Sequence, residues 1–123
     1  MTTTNTLDGG PLPIDLEHLS QYTANDPEIT RDILRLFIGQ LSQKIENLKT
    51  TEELSAWKAE AHALKGSSLG VGAQEMADLA LEAEGLSILE GAPHAAFLER
   101  LETAATRTSQ YAHQLLEDAS FVG

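Results

Sequence analysis

The sequence contains no cysteine, few basic residues and few aromatic residues, and each shortage excludes a class of protein. Without cysteine the chain has no disulfide scaffold, no thiolate nucleophile and no cysteine-ligated zinc or iron–sulfur site. Its 8 Lys and Arg stand against 19 Asp and Glu, a formal net charge of -11, which makes nucleic acid and anionic membrane surfaces poor partners. No apolar run is long enough to span a membrane, and the first residues lack a secretory signal. We therefore expect a cytoplasmic protein.

What remains is the composition of one soluble helical domain. The chain has 123 residues, 41% of them hydrophobic and only 5% aromatic, which suits a packed all-α fold better than an aromatic-rich sheet. Four long amphipathic segments with short connections favour an antiparallel up-down-up-down four-helix bundle, with a short N-terminal lid helix before it. We expect residues 1–13 to be a flexible leader, residues 14–119 to form the bundle and residues 120–123 to be a short tail.

Capping residues predict where the first helices begin. Asp15 is a suitable N-cap for the lid helix, and Asp26 followed by Pro27 is a suitable start for a long helix that ends near Lys49. Apolar residues recur along this long helix at spacings of three and four, which predicts one buried face. We place the following residues on that face: Ile29, Ile33, Leu36, Phe37, Leu41, Ile45 and Leu48.

The later helices are predicted from similar signals. Thr50 and Glu53 have the spacing of a capping box, which would begin the next helix. A further helix is expected from about residue 73 to residue 90, where Gly91 and Pro93 would stop it. The last helix would run from Pro93 or His94 to about residue 119.

The helix after Thr50 carries a histidine on the face that should be exposed. At about 100° per residue, His62 points away from the predicted core positions of its own helix. Lys58 and Lys65 lie four residues before it and three after it, so all three are surface neighbours. Two cations beside an exposed imidazole favour an anion there, although a solvated histidine between two solvated lysines is the ordinary alternative. Together these residues are consistent with a nucleophilic histidine.

Small and apolar residues on the same flank suggest a docking surface. Gly66 is unfavourable inside a helix by about 0.5–1 kcal/mol relative to alanine, so its missing side chain suggests clearance for an incoming surface. Leu69 would be an exposed apolar residue beside the histidine. We therefore assign Lys58, Ala59 and Leu69 to partner docking. A fraying helix end is the alternative explanation for Gly66.

The run from Ala61 to Ser68, AHALKGSS, followed by Gly72 and Ala73, closely resembles the signature of histidine-containing phosphotransfer (HPt) domains. The His, Lys, Gly, Ser and later Gly-Ala stand in the family's order and spacing. A weaker resemblance extends from about residue 16 to residue 116. The resemblance implies a carrier in a multistep two-component phosphorelay.

The same resemblance implies roles for individual residues. His62 would accept a phosphoryl group from the phosphoaspartate of a receiver domain and pass it to an aspartate of another receiver. Lys65 would stabilise the phosphoryl oxygens, Gly66 would leave room for the receiver, and Ser67 would support the turn or the site. Glu84 falls where the family often has a polar residue that hydrogen-bonds the histidine ring, with Gln in some relatives, and would orient the imidazole.

The implied partners are response-regulator receiver domains and a sensor histidine kinase, which is hybrid in some relays. We expect no cofactor or metal ion on this chain and Mg²⁺ on the receiver. The remaining histidines, His18, His94 and His113, have no metal-site spacing. The chain has no ATP site, so it is expected to be a monomeric phosphoryl carrier rather than a self-sufficient kinase. A receiver-binding adaptor that is not phosphorylated and a structural helical bundle remain the alternatives.

Overall fold

The structure is a computed structural model, and it describes residues 12–117. Within this range there are five helices and no strand: α1 Leu16–Tyr22, α2 Pro27–Thr50, α3 Leu54–Val71, α4 Gln74–Glu84 and α5 Gly91–Glu117. The predicted all-α fold is confirmed. None of the helices in this range is long and apolar enough to cross a membrane. The predicted tail and most of the predicted leader, residues 1–11, lie outside the described residues.

The first two helices begin at the predicted caps. The carboxylates of Asp15 and Asp26 each accept hydrogen bonds from the backbone N–H groups two and three residues further on. These bonds satisfy donors that have no partner inside the helix. Pro27 occupies the first helical position, where its missing N–H costs nothing. Helix α2 ends at Thr50, one residue after the predicted end.

The predicted capping box at Thr50 and Glu53 is wrong. Thr50 is the last residue of α2, and its hydroxyl donates back to the carbonyl of Glu46 at 3.1 Å. Since the side chain serves the helix that ends there, it is not available to begin the next one. Glu53 itself is the N-cap of α3, and its side chain makes no capping hydrogen bond.

The helix predicted from residue 73 to residue 90 is shorter than expected. Helix α4 ends at Glu84, and residues 85–90 connect it to α5 without helical structure. The N–H groups of Gly85 and Leu86 donate to carbonyls three residues earlier, both at 3.1 Å, which tightens and closes the last turn. Leu86 is therefore a half-buried residue of the connection rather than part of a helix.

Helix α5 begins earlier than predicted, at Gly91 rather than at Pro93 or His94. Gly91 has a φ of +88°, a conformation that suits glycine. Pro93 lies in the first turn, where backbone N–H groups have no intrahelical acceptor, so proline does not interrupt the helix. The two residues expected to separate the helices therefore both belong to α5.

The four longer helices surround one core. Helix α2 packs against α3 and α5, α4 packs against the same two helices, and α1 packs against α3. Trp57 is fully buried among them, and its ring contacts those of His94 and Phe97 at centroid distances of 5.2 and 6.3 Å. The core of α2 differs from the prediction, because Ile29 and Leu36 are exposed. The buried residues of this helix are Thr30, Leu34, Phe37, Leu41, Ile45 and Leu48.

Helix α1 is attached to the end of α3 through its backbone. The N–H of Asp15 donates to the carbonyl of Gly72 at 2.9 Å. Gly72 ends α3 with a φ of +82°, and a Cβ at this position would lie 3.0 Å from the carbonyl oxygen of Asp15. Both the left-handed conformation and the close approach therefore require glycine. The hydroxyls of Thr23 and Thr30, 2.7 Å apart, join the end of α1 to the start of α2.

Candidate functional site

The candidate site lies on the outer face of α3, around His62. Trp57, Ala61 and Leu64 turn into the core and are fully buried, which directs the intervening position 62 away from it. The side chain of His62 is 72% exposed. The imidazole is therefore accessible to a large partner, as the helical periodicity predicted.

Glu84, the last residue of α4, lies beside His62. One carboxylate oxygen, Oε2, is 2.9 Å from Nδ1 of His62, and the other, Oε1, is 2.8 Å from Nζ of Lys65. The Glu84 side chain is 22% exposed, much less than the imidazole. A single carboxylate thus bridges the histidine and the lysine that follows it by one helical turn.

The charge of Glu84 bears on which ring nitrogen of His62 carries the hydrogen of their contact. The hydrogen bond from Lys65 is the largest influence that lowers the pKa of Glu84, and the hydrogen bond from His62 is the next. The group is therefore an ionised carboxylate at neutral pH, and a carboxylate can only accept hydrogen bonds. It follows that Nδ1 of His62 carries the hydrogen of this contact. In the neutral ring the lone pair is then on Nε2.

Lys58 contacts the same residue from the other side. Its ammonium group donates to the backbone carbonyl of Glu84 and, at 3.4 Å, to that of Leu86. Both lysines that flank His62 therefore bind Glu84, Lys58 through its backbone carbonyl and Lys65 through its carboxylate. The helical wheel missed this because the acidic partner comes from another helix.

The residues assigned to clearance and docking lie on the same flank of α3 as His62. Apart from its chain neighbours and the adjacent backbone of its own helix, no atom lies within 4 Å of the position that a Cβ on Gly66 would occupy. Ala59 and Leu69 are exposed, Leu69 by 46%. The hydroxyl of Ser67 donates to the carbonyl of Leu64 at 3.3 Å, which is a bond within the helix and not one to His62.

Sequence reasoning missed an exposed apolar surface beside Gly66. A shallow groove there is lined by residues of α1, α2 and α3, among them Tyr22, Leu36 and Ser67. Leu36 is 58% exposed, although its spacing had placed it in the core. The spacing along α2 contains a signal for this exposure. The buried residues from Thr30 onward follow one another at intervals of three or four positions, and Leu36 is not part of that series.

Metal-binding clusters are not found in the part of the chain that the structure describes. No three His, Asp or Glu side chains within residues 12–117 come together as potential ligands. His94, in the first turn of α5, lies against the ring of Trp57. The site as described is thus built from one histidine, two lysines and one glutamate.

Comparison with known protein families gives a match that covers the candidate site. The model of the family described as Hpt domain matches residues 32–119, which include all of α3 and α4 and so every residue of the site. No curated protein and no solved structure matches the chain.

Proposed function

Because the chain belongs to the Hpt domain family, whose members transfer phosphoryl groups through histidine in phosphorelays, we propose that His62 is the phosphorylated residue. A receiver-domain phosphoaspartate would donate the phosphoryl group, and an aspartate of another receiver would accept it. The observation that carries this assignment is an exposed imidazole whose Nδ1 is bound by an ionised carboxylate. That contact leaves Nε2 as the nucleophile.

The transfer exchanges one bond for another at phosphorus. Nε2 of His62 attacks the phosphorus atom as the bond to the aspartyl oxygen breaks, so the receiver regains its carboxylate and the histidine gains an N–P bond. The ring becomes more positive during attack, and the carboxylate of Glu84 at Nδ1 stabilises that charge. Onward transfer is the same step in reverse with a second receiver.

Lys65 is proposed to bind the phosphoryl oxygens. Its ammonium group lies one turn from His62 on the same face of α3 and is held by the carboxylate of Glu84. A lysine side chain has a flexible four-carbon stem, so a short rotation of the side chain carries the charge from the carboxylate to the phosphoryl group. Mg²⁺ would be supplied by the receiver and neutralise further charge on the transferring group.

The receiver is proposed to dock over Gly66. The open space above this glycine, together with exposed Ala59 and Leu69, supports this placement, and Ser67 would support the local backbone. Leu36 extends the apolar surface onto α2. Contact of Lys58 with a receiver stays a prediction.

Hpt domains act with receiver domains and histidine kinases, and we propose a hybrid sensor kinase as the source of phosphoryl groups for a monomeric, cytoplasmic chain.

We also propose the antiparallel up-down-up-down order of α2 to α5, with α1 as a lid. Cross-helix ion pairs support this order, since Glu82 pairs with Arg100 whereas the earlier Glu75 pairs with the later Arg107. These pairs are consistent with α4 and α5 running in opposite directions.

The direct test is phosphorylation by a phosphorylated receiver. We expect an acid-labile, base-stable label on the wild-type chain and none on His62→Gln, while His113→Gln, which changes another exposed histidine, is labelled normally. Equal labelling of wild type and His62→Gln would refute the assignment. Binding of receivers without labelling of the wild type would instead support the adaptor function.

A further inference from the structure

Two neighbouring side chains of α3 bind the C-terminal end of α4. The indole Nε1 of Trp57 donates to the carbonyl of Ala83 at 2.7 Å, and Nζ of Lys58 donates to the carbonyls of Glu84 and Leu86. Of these donors only Lys58 is charged, and it is partly buried. The last turn of α4 is therefore attached to α3 by side chains that project from consecutive positions.

The end of α4 needs such partners because its own sequence supplies few. The last turn of α4 contains no basic residue. Its final backbone carbonyls accept no hydrogen bonds from within the helix except those of the tight turn that closes it. A cation at a helix C-terminus also interacts favourably with the helix dipole. Lys58 supplies that charge from the neighbouring helix.

Three side chains of α3 converge on Glu84. Lys58 binds its backbone carbonyl, His62 binds Oε2 and Lys65 binds Oε1. The three residues are spaced by four and three positions, so they lie on one face of the helix. Glu84 is thus held at its backbone by one lysine while its carboxylate holds the imidazole.

We propose that Lys58 is a positioning residue for phosphoryl transfer, which fixes the end of α4 so that the Glu84 carboxylate meets Nδ1 of His62. Lys58 acts through Glu84 and does not touch the phosphoryl group. The proposal rests on the function proposed above for the role of His62, but the geometry it invokes exists in the unphosphorylated protein and is measurable there.

The test measures the His62 ring directly. In the full chain at about pH 8, where an ordinary imidazole is neutral, ¹⁵N NMR reports which ring nitrogen carries the hydrogen. We expect wild type to have the hydrogen mainly on Nδ1, and Lys58→Met to shift the population toward the Nε2-protonated form. Lys58→Arg, which retains charge and donors, should restore the wild-type pattern.

Phosphoryl acceptance supplies the second measurement. We expect Lys58→Met to slow labelling from a phosphorylated receiver by about two- to tenfold, the effect that the loss of one hydrogen bond gives. Lys44→Met is the matched control, because Lys44 also makes a cross-helix contact, to Glu60 at 3.5 Å, away from His62. It should leave both the ring pattern and the labelling rate unchanged even if it lowers stability.

A double-mutant cycle determines whether Lys58 acts through Glu84. In a Glu84→Ala background, Lys58→Met should have no further effect on either measurement. An unchanged ring pattern in Lys58→Met, or a further slowing in the Glu84→Ala background, would overturn the proposal. If Lys58→Met does not fold, Lys58→Ala, which also lacks a side-chain donor, takes its place with the same expected outcomes. Loss of the proposed function would appear separately, as a wild-type chain that is not labelled on His62.

Discussion

The carboxylate of Glu84 joins His62 and Lys65, with one oxygen 2.9 Å from the imidazole Nδ1 and the other 2.8 Å from the ammonium Nζ. Before phosphorylation, the lysine proposed to bind the phosphoryl group is therefore bound to the residue proposed to orient the histidine. Any substitution at Glu84 changes both at once. This relationship leads to the first two predictions.

Two substitutions at Glu84 should distinguish its hydrogen bond to the imidazole of His62 from the effect of its negative charge. Glu84→Gln retains an oxygen that accepts from Nδ1 but has no negative charge to stabilise the ring during attack, whereas Glu84→Ala loses both. We expect the labelling rate to fall about tenfold or more in Glu84→Ala and less in Glu84→Gln, since hydrogen bonds to charged groups are the stronger ones. Initial rates with one phosphorylated receiver measure this order. Equal rates for all three proteins would contradict it.

The contribution of Glu84 to stability should depend on pH in acid solution. Lys65 and His62 lower the pKa of Glu84 below its ordinary value of 4.5. A carboxyl group whose pKa is lower in the folded state stabilises the fold fully above the unfolded value, and this contribution disappears as pH falls through the folded value. We therefore expect urea unfolding to give a difference in the free energy of unfolding between wild type and Glu84→Gln. This difference should be fully present above pH 4.5 and become smaller as pH falls below that value. A difference that does not shrink as pH falls below 4.5 would contradict the assignment, because protonation of the Glu84 carboxylate removes its contribution.

Gly66 should be replaceable without loss of stability. An added side chain meets open space there, and Gln has a much higher helix propensity than Gly, so Gly66→Gln should raise the free energy of unfolding by about 0.5 kcal/mol. Affinity for a receiver should fall by about tenfold or more, because the side chain occupies the docking space. Gly39→Gln is the control, since Gly39 also lies inside a helix and a Cβ added there would meet open space. Equal receiver affinity in both variants would remove the clearance argument.

The exposed apolar residues should differ in their effect on docking. Leu69→Ser lies on the His62 flank, whereas Leu81→Ser changes a similarly exposed leucine of α4 outside the proposed surface. Both should change stability by about 0.5 kcal/mol or less, as surface substitutions usually do. Titration with a receiver should show weaker binding for Leu69→Ser alone. Weakening of the same size in Leu81→Ser would show that the surface is placed wrongly.

The parts of the fold that were predictable from sequence are those that local chemistry determines. Asp15 and Asp26 cap their helices because the acceptor and its donors are two and three residues apart. The exposure of His62 follows in the same way from the periodicity of α3. The signature around this residue also predicted the family, which the match to residues 32–119 confirms.

The details that sequence reasoning missed depend on contacts between helices. The end of α4 at Glu84 was placed six residues too late, because its closing turn is bound by Trp57 and Lys58 from α3, and no local residue signals those bonds. The pairing of both lysines with one acidic residue was missed for the same reason. Such contacts become visible only when the helices are assembled.

The bond between Asp15 and Gly72 has a consequence for how the domain is delimited. The family match begins at residue 32, inside α2, yet α1 is attached to the end of α3 by this bond, and Ile14 and Leu19 are buried in the common core. The unit that unfolds cooperatively therefore begins upstream of residue 32, where the family match begins. A truncation designed on the matched boundary would remove two core side chains and release the glycine that ends α3, so recombinant fragments of this domain should begin before Ile14.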